Sequence, residues 1–244
     1  MSDSPSASPL AHSGPYFFCG IGGSGMLPLA LIVRARGYDV EGSDRSLDAG
    51  RTASKFEFLK ARGIKLHAQD GSGVTSKNQL LVVAAAIEGT VPDVVAAKRV
   101  GAPSITRPQL LAQLVNGSKV SVAVGGTSGK STVTGMIGWI LYAARRDPTV
   151  MNGAVMKNFV AGDAPFASAI VGEGDIFVSE VDESDGSIAL YNPTIAVLNN
   201  IALDHKSMDE LRRLFTDFVA KAQVAVFNLD NDETRALYAK LKPP

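Results

Sequence analysis

Short apolar runs alternate from Tyr16 onward with segments whose apolar positions repeat at helical spacing. Strands that alternate with helices in this way predict an α/β fold with parallel sheets. The predicted strands are YFFCGI, YDVEGSD, LLVVAAAI, VSVAVGG, DIFVSEVDE, TIAVLNN and QVAVFNLDN. The predicted helices are MLPLALIVRARG, RTASKFEFLKARG, VPDVVAAKRVG, RPQLLAQLV, KSTVTGMIGWILYAARR, MDELRRLFTDFVAKA and DETRALYAKLKPP.

The same pattern restarts after NGSK, residues 116–119, whose composition is typical of a joint between domains. We therefore predict one domain at residues 16–117 and a second at 118–244. The chain of 244 residues is long enough for each domain to bury a core of its own. Residues 1–15 are rich in Ser, Pro and Ala without periodicity, and are predicted to form a disordered tail.

Composition narrows the classes of partner. The 24 Lys and Arg residues balance 24 Asp and Glu residues, so neither a nucleic-acid nor a membrane surface is predicted. No stretch resembles a secretory signal or a membrane span. The single cysteine, Cys19, rules out a disulfide framework within the chain and is expected to be buried rather than reactive. We expect a cytoplasmic protein whose partners are small molecules.

The loop GGTSGKST, residues 125–132, lies between an apolar strand and a helix. Small residues let successive backbone N–H groups turn toward one point, where the positive end of the helix favours phosphate. Lys130 supplies a charge for the outer phosphates, and Ser131 supplies a hydroxyl for magnesium. Val124 stands where the pattern G-x-x-x-x-G-K-[ST] has its first glycine. We interpret the loop as a nucleotide site despite this departure, rather than as a plain turn.

Two other predicted strands end in polar side chains. Open α/β sheets bind ligands at the carboxyl ends of their strands, so these groups are expected to lie beside the phosphate loop. Carboxylate oxygens there would complete a magnesium site, and the histidine would face the same crevice. The side chains are Glu180, Asp182, Glu183 and Asp185 after one strand, and Asn199, Asn200, Asp204 and His205 after the other.

The first predicted strand is followed by GIGGSG, residues 20–25, which fits G-x-G-x-x-G. Asp44 follows about twenty residues later, after the second strand, as in a dinucleotide-binding fold. Glycines at these positions allow a tight turn and close approach of the backbone to a diphosphate. The motif alone leaves NAD and a UDP-sugar open as ligands.

Together and in this order, these motifs resemble the Mur ligase family, the ATP-dependent amide ligases of peptidoglycan synthesis. FCGIGGSGM followed by VEGSD is similar to the family's UDP-binding segment. GGTSGKST is similar to its G-T-x-G-K-[ST] loop, which does not require the earlier glycine. SEVDESD resembles E-A-D-E-S-D, and LNNIALDH resembles T-N-I-x-x-D-H. The resemblance extends from about Tyr16 to the end of the chain.

The resemblance implies a Rossmann-like UDP-sugar-binding domain followed by a P-loop-type ATP-binding central domain. The implied reaction joins L-alanine or a peptide to UDP-N-acetylmuramate through an acyl phosphate, with ATP and Mg²⁺. Lys130, Glu180 and His205 would be catalytic. Ser131 and Glu180 would bind a magnesium ion between the β- and γ-phosphates, and His205 would bind a second magnesium ion nearer the acceptor carboxylate. ATP would contact Gly126, Thr127, Ser128, Gly129, Lys130, Ser131, Thr132 and Asn200. The UDP-sugar would contact Gly20, Gly22, Gly23, Ser24, Gly25, Met26 and Asp44.

Two departures from the family limit these expectations. A serine pair of the family is replaced by Ala84 and Ala85, which leaves the identity of the UDP-linked ligand open. The family's third, C-terminal domain is missing from the sequence, and the central domain is expected to be incomplete. We therefore expect this chain alone to bind nucleotide weakly and to ligate little or nothing.

Two other functions are compatible with some of the motifs. A non-catalytic UDP-sugar or nucleotide-binding module would use both glycine-rich loops without turnover. An NAD-dependent oxidoreductase would use GIGGSG, but it would leave Lys130, Glu180 and His205 without a role.

Overall fold

The computed structural model describes residues 10–162 and 165–241, which divide into two compact units at the Gly117–Ser118 junction. Each unit is an α/β layer structure, and the predicted fold class is confirmed. The first unit contains the strands β1 Tyr16–Cys19, β2 Val40–Ser43, β3 Lys65–His67, β4 Leu80–Val83 and β5 Ser104–Thr106. Its helices are α1 Met26–Ala35, α2 Arg45–Asp48, α3 Ala53–Ala61, α4 Pro92–Val100 and α5 Arg107–Asn116.

The second unit begins with β6 Val120–Gly125 and ends with α8 Asp232–Leu241. Between them lie β7 Thr149–Met151, β8 Ala169–Ile170, β9 Ile176–Glu180, β10 Ile195–Leu198, β11 Val224–Phe227, α6 Lys130–Ala143 and α7 Met208–Ala220. Short 3₁₀ turns occupy Lys157–Phe159 and Ser187–Leu190.

The sheet of the first unit is parallel throughout, in the order β3-β2-β1-β4-β5. β1 and β4 are buried at every position, which agrees with their continuous apolar sequences. The connections run to opposite sides of β1, so the strand order reverses between β1 and β4. Ligands of such sheets bind in the crevice at the carboxyl ends of the strands where the order reverses.

Helix ends in the first unit follow local sequence signals. α4 starts with Pro92 and stops before Gly101, which adopts a left-handed conformation with φ +73°. The Thr106 side chain caps α5 by accepting a hydrogen bond from the Gln109 N–H, and the Gln109 side chain accepts one from the Thr106 N–H. This reciprocal capping fixes where α5 begins.

The sheet of the second unit is mixed, in the order β11-β10-β6-β9-β7-β8, with β7 and β8 antiparallel and the other pairs parallel. In the registers about β6, Val124 lies opposite Glu180 of β9, and Gly125 lies opposite Leu198 of β10. The carboxyl ends of three adjacent strands therefore lie at one level. The loop 125–132 and the polar segments after β9 and β10 all start there.

Some predicted boundaries differ from the structure. The strand predicted over LLVVAAAI ends at Val83, because the alanines that follow are exposed and supply no bulk for the core. The segments β5, β7 and β8 are too short to show a period of their own, and pairing with longer neighbours holds them in the sheet.

Residues 10–15 form part of the first unit, so the prediction of a disordered tail is wrong for them. Leu10 is buried, and the Pro15 carbonyl accepts a hydrogen bond from the Leu80 N–H at 2.9 Å. The His12 ring packs edge-on against Tyr16 with a 5.4 Å centroid separation. Apolar and aromatic contacts therefore order a segment whose composition indicated disorder. Residues 1–9 lie outside the described residues.

Gly42 of β2 provides a test of packing in the first unit. A Cβ at this position would lie 2.7 Å from the Phe18 carbonyl oxygen and 2.8 Å from Ile21 Cδ1, so the backbone would have to move. We expect Gly42→Ala to lower the free energy of unfolding by about 1–3 kcal/mol, measured by urea denaturation. Gly89→Ala is the control, because the nearest atom to its Cβ is Lys98 Nζ at 3.7 Å. Equal stability of the two variants would contradict the close packing of Gly42 against Phe18 and Ile21.

Candidate functional site

The loop 125–132 depends on glycine at two positions. Gly126 has φ +141° and Gly129 has φ +76°, both outside the range that other residues readily adopt. A Cβ at Gly129 would also approach Asn199 Nδ2 to 2.7 Å. Gly129 caps α6, whose first backbone N–H groups belong to Lys130, Ser131 and Thr132 and have no partner within a helix. These donors and the positive end of α6 make the loop mouth suitable for phosphate.

The segment after β10 holds this loop in shape. Asn200 accepts the Thr127 N–H through its backbone carbonyl at 3.1 Å and the Ser128 N–H through Oδ1 at 3.0 Å. Asn200 Nδ2 and Asn199 Nδ2 both donate to the Ser128 carbonyl at 2.9 Å. The Thr127 hydroxyl donates to the Ala202 carbonyl at 3.2 Å. These contacts hold the loop backbone in place and use the N–H groups of Thr127 and Ser128.

Lys130 is held by Glu183, one of the carboxylates predicted to lie beside the phosphate loop. Lys130 Nζ lies 2.9 and 3.2 Å from the two oxygens of Glu183, and it donates to the Gly126 carbonyl at 2.8 Å. The Glu183 side chain is 5% exposed, compared with 19% for Lys130. Glu183 follows the end of β9 by three residues, and a lysine in a glycine-rich loop needs such a counter-ion when it is partly buried.

Ser131 and Glu180 meet beside this ion pair. The Ser131 hydroxyl donates to Glu180 Oε2 at 2.7 Å, as the registers of β6 and β9 allow. Residue 153 has to be glycine for this arrangement, because a Cβ there would overlap Glu180 Oε1. A hydroxyl and a carboxylate converging beside a phosphate loop are oxygen ligands suited to Mg²⁺, whose remaining ligands are usually phosphate oxygens and water.

His205 does not join this group in the structure. Its side chain is 78% exposed, and Nε2 lies 3.4 Å from Asp204 Oδ1. Within residues 10–162 and 165–241, no cluster of three or more His, Cys, Asp or Glu side chains is arranged to hold a metal. Ser131 and Glu180, which were predicted to share one magnesium ion, are in contact, whereas His205, predicted to bind a second ion, faces solvent.

A cavity of about 380 Å³ opens from the same loop and extends along α6. Ser131 and Asn152 line its polar end, and Trp139, Met156 and Phe159 contribute apolar surface. Asn152 Nδ2 donates to the Ser131 carbonyl at 3.0 Å, which fixes the amide orientation. Its Oδ1 is buried without a hydrogen-bond partner among the described residues. The sequence pattern gave no sign of Asn152, since it follows a three-residue strand that was not predicted.

The glycine-rich turn of the first unit is held by Asp44. Asp44 Oδ2 accepts the Gly22 N–H at 2.8 Å, and Oδ1 accepts the Ser46 N–H at 2.7 Å, which caps α2. Lys55 Nζ donates to the Gly22 carbonyl at 2.8 Å, and Gly20 has φ +80°. The carboxylate predicted to bind a ribose hydroxyl therefore also supports the turn.

A second cavity, of about 440 Å³, lies in the crevice between β1 and β4. Gly20, Gly23, Met26 and Asp44 line it, together with Ala84 from the segment after β4. Gly22, Ser24, Gly25 and Ala85 are not among its lining residues. The structure thus brings four of the seven predicted UDP-sugar residues to one cavity, while Gly25 caps α1 and precedes Met26.

Cys19 also lines this cavity, but its thiol is not reactive in character. It is buried, as expected, and accepts a hydrogen bond from Gln69 Nε2 at 3.3 Å. Burial, with a smaller contribution from the Asp93 charge, raises the pKa of the Cys19 thiol from 9.0 to about 12. The thiol is therefore neutral at physiological pH.

Comparison with known protein families matches both units of the chain. Residues 15–119 match the model described as Mur ligase family, catalytic domain, and residues 124–244 match the Mur ligase middle domain. The UDP-N-acetylmuramate–L-alanine ligase of Persephonella marina is 34% identical over 92% of this chain and 48% of its own length. The chain spans about half the length of the curated relatives it matches.

Two crystal structures have the same fold over most of the chain. UDP-N-acetylmuramate-alanine ligase from Thermotoga maritima aligns with a TM-score of 0.77 and 26% identity, covering 92% of this chain and 51% of that one. UDP-N-acetylmuramate:L-alanyl-gamma-D-glutamyl-meso-diaminopimelate ligase from Neisseria meningitides aligns with a TM-score of 0.77 and 25% identity. That alignment covers 93% of this chain and 75% of the other.

Lys130 and Glu180 are the side chains whose loss should damage the phosphate site most directly. We expect Lys130→Ala and Glu180→Ala each to weaken binding of Mg·ATP about a hundredfold or more, because each removes a charged contact. Calorimetric titration measures this, with circular dichroism to verify folding. Lys119→Ala and Asp175→Ala are matched controls, since this exposed ion pair lies in the same unit. Unchanged affinity in either site variant would refute the site.

The single cysteine allows a clean test of the thiol environment. At pH 8, folded protein should react with iodoacetamide about a thousandfold more slowly than protein unfolded in urea, because the pKa of Cys19 is raised by burial and little thiolate exists. Mass spectrometry after timed quenching gives both rates. Comparable rates would show that the thiol is accessible and ionised in the folded protein.

Proposed function

The chain belongs to the Mur ligase family, and on that premise we propose that it forms the nucleotide-binding part of an ATP-dependent amide ligase. In this proposal the first unit binds UDP-N-acetylmuramate and the second binds Mg·ATP. The complete reaction attaches L-alanine or a short peptide to the muramoyl carboxylate. The relatives named for joining UDP-N-acetylmuramate to L-alanine support this choice of substrate class.

The observation that carries the proposal is the set of contacts at the ends of β6, β9 and β10. Lys130 and Ser131 are adjacent residues at the start of α6, and they contact Glu183 and Glu180, respectively. Asn200 holds the loop from the other side. A lysine, a hydroxyl and a carboxylate around open helix N–H groups suit a nucleoside triphosphate with its divalent cation.

In the first proposed step, a carboxylate oxygen of the acceptor attacks the γ-phosphorus of ATP. The bond from that phosphorus to the β–γ bridging oxygen breaks, giving an acyl phosphate and ADP. Lys130 and the first N–H groups of α6 bind the phosphate oxygens and orient them for in-line transfer. Ser131 and Glu180 would hold magnesium, which neutralises charge on the phosphates when it is bound.

In the second step, the amine of the incoming amino acid attacks the acyl carbon. The carbon–oxygen bond to phosphate breaks, inorganic phosphate leaves, and the amine nitrogen loses a proton as the amide forms. The cavity along α6 opens from Ser131, and we assign the acceptor's carboxylate end to its polar part beside Asn152. Its apolar walls would restrict water that could hydrolyse the acyl phosphate.

The first unit supports a diphosphate ligand through its glycine turn at the reversal of strand order. The 440 Å³ cavity contains Gly20, Gly23, Met26 and Asp44, and its size fits part of a nucleotide-sugar. Ala84 lies in its wall, where a hydroxyl would offer a further hydrogen bond.

Since the reaction consumes ATP, we assign it to the cytoplasm. Among the described residues, no helix has the length and apolar character needed to cross a bilayer.

Ligand competition separates the ligase proposal from an oxidoreductase. We expect UDP-N-acetylmuramate to bind the chain and UDP to displace it, because the cavity between β1 and β4 accommodates the uridine diphosphate. NADH should not compete at equal concentration. Calorimetry with each ligand, alone and after saturation with UDP, provides the measurement. Displacement of the UDP-sugar by NADH would favour the oxidoreductase.

Turnover separates a ligase from a non-catalytic binding module. Over many turnovers, a ligase releases ADP only when UDP-N-acetylmuramate and an amine such as L-alanine are both present, because the amine must consume the acyl phosphate. This chain spans about half the length of its relatives, so we expect it to release little ADP by itself. Lys130→Ala should abolish any amine-dependent release. A coupled ADP assay measures it in each combination of substrates. Amine-dependent ADP release would exclude the non-catalytic module, whereas little or no release agrees with the expectation that this chain alone ligates little.

A further inference from the structure

The buried carboxylate of Glu183 contacts the ammonium group of Lys130. A lysine that binds phosphate would be expected to keep this group available for its ligand. Lysine has three N–H donors. At Lys130 they are directed to Glu183 at 2.9 and 3.2 Å and to the carbonyls of Gly126 at 2.8 Å and Thr127 at 3.5 Å. A phosphate that contacts this ammonium must therefore share it with Glu183 or displace one of these acceptors.

The charges around the loop mouth do not favour a bare polyanion. Lys130 contributes one positive charge, while Glu183 and Glu180 contribute two negative charges through contacts to Lys130 and to the adjacent Ser131. Glu183 is buried, so solvent screens its charge weakly. These three side chains thus sum to a negative charge, which opposes the attraction of phosphate by the helix end and the backbone N–H groups.

We propose that Glu183 is a specificity-determining residue, which cancels the charge of Lys130 so that the loop selects a metal-bound nucleoside triphosphate over the metal-free nucleotide. Free ATP carries about two more negative charges than its magnesium complex, so a buried negative charge near the phosphates penalises it more. Ser131 and Glu180 then receive the cation that accompanies the selected form. This inference rests on the proposed ATP site and adds a determinant of which ionic form of ATP enters it.

Glu183 could instead serve only to hold Lys130 in place. In that case, loss of its charge would weaken both forms of the nucleotide to the same extent, because each uses the same lysine. Charge selection makes the opposite prediction: metal-free ATP should gain affinity when the carboxylate becomes an amide. The ratio of the dissociation constants for metal-free ATP and Mg·ATP therefore distinguishes charge selection by Glu183 from a role that only holds Lys130 in place.

The test measures ATP binding by calorimetry in excess magnesium and in EDTA, for the unaltered chain and for Glu183→Gln. The glutamine retains size and a hydrogen-bond acceptor for Lys130. We expect the unaltered chain to prefer Mg·ATP by more than about tenfold, and Glu183→Gln to reduce that preference about tenfold, mainly through tighter binding of free ATP. Glu183→Asp, which retains the charge, should retain most of the preference.

The matched control is Asp185→Asn, which removes the same charge from the same loop. Asp185 is exposed, so its effect is screened and the preference should change by less than about twofold. An unchanged preference in Glu183→Gln, or equal weakening of both forms, would overturn the inference while leaving the ATP site intact. Equal affinity of the unaltered chain for both forms would also overturn it, whether or not the variants fold. Failure of the unaltered chain to bind either form would overturn the ATP site as well.

Discussion

The registers that β6 makes with β9 and β10 determine where the polar groups around the loop 125–132 lie. Val124 pairs opposite Glu180, and Gly125 pairs opposite Leu198, so three strands end at one level. A shift of one residue in either pairing would turn the side chains at the strand end to the opposite face. The contact between Ser131 and Glu180 exists only because these registers bring the start of α6 beside the end of β9.

Glycine makes these close approaches possible at two separate points. Gly129 takes a left-handed conformation at the cap of α6, next to the Asn199 side chain, and Gly153 leaves room for the Glu180 carboxylate. The first position, Gly129, belongs to the glycine-rich loop that the sequence pattern predicts. The second lies in a different loop, and its importance follows only from a tertiary contact with a strand 27 residues later in the sequence, at residue 180.

The sequence predicted the fold class and the longer elements because buried parallel strands and amphipathic helices have distinct periods. It also located the two glycine-rich loops and the acidic end of β9. Composition and spacing could not assign partners within that acidic run, since Glu180 and Glu183 have the same chemistry and differ in which of two adjacent residues each contacts. Only the family resemblance separated Glu180 from Glu183. The predicted contact of Asn200 with the nucleotide stays a prediction; what the pattern did not indicate is that the Asn200 amide also forms hydrogen bonds to the loop backbone. Whether a side chain contacts a ligand or the loop backbone depends on distances of a few ångströms, which sequence patterns do not encode.

The two units hold their glycine-rich turns with side chains of different charge. In each, a strand leads into a glycine-rich turn and a helix, and a side chain from a neighbouring segment holds the turn by accepting a backbone N–H. In the first unit that side chain is the carboxylate of Asp44, with Lys55 donating to the same turn. In the second unit it is the neutral amide of Asn200, and the charged groups are moved to the loop mouth, where Lys130 faces Glu183. An anionic support suits a ligand that is recognised partly through hydroxyl donors, as a nucleotide-sugar would be. A neutral support leaves the electrostatics of the second loop to the lysine and the two carboxylates. In the proposed ATP site, the charge on the polyphosphate, and the cation that reduces it, would therefore govern binding.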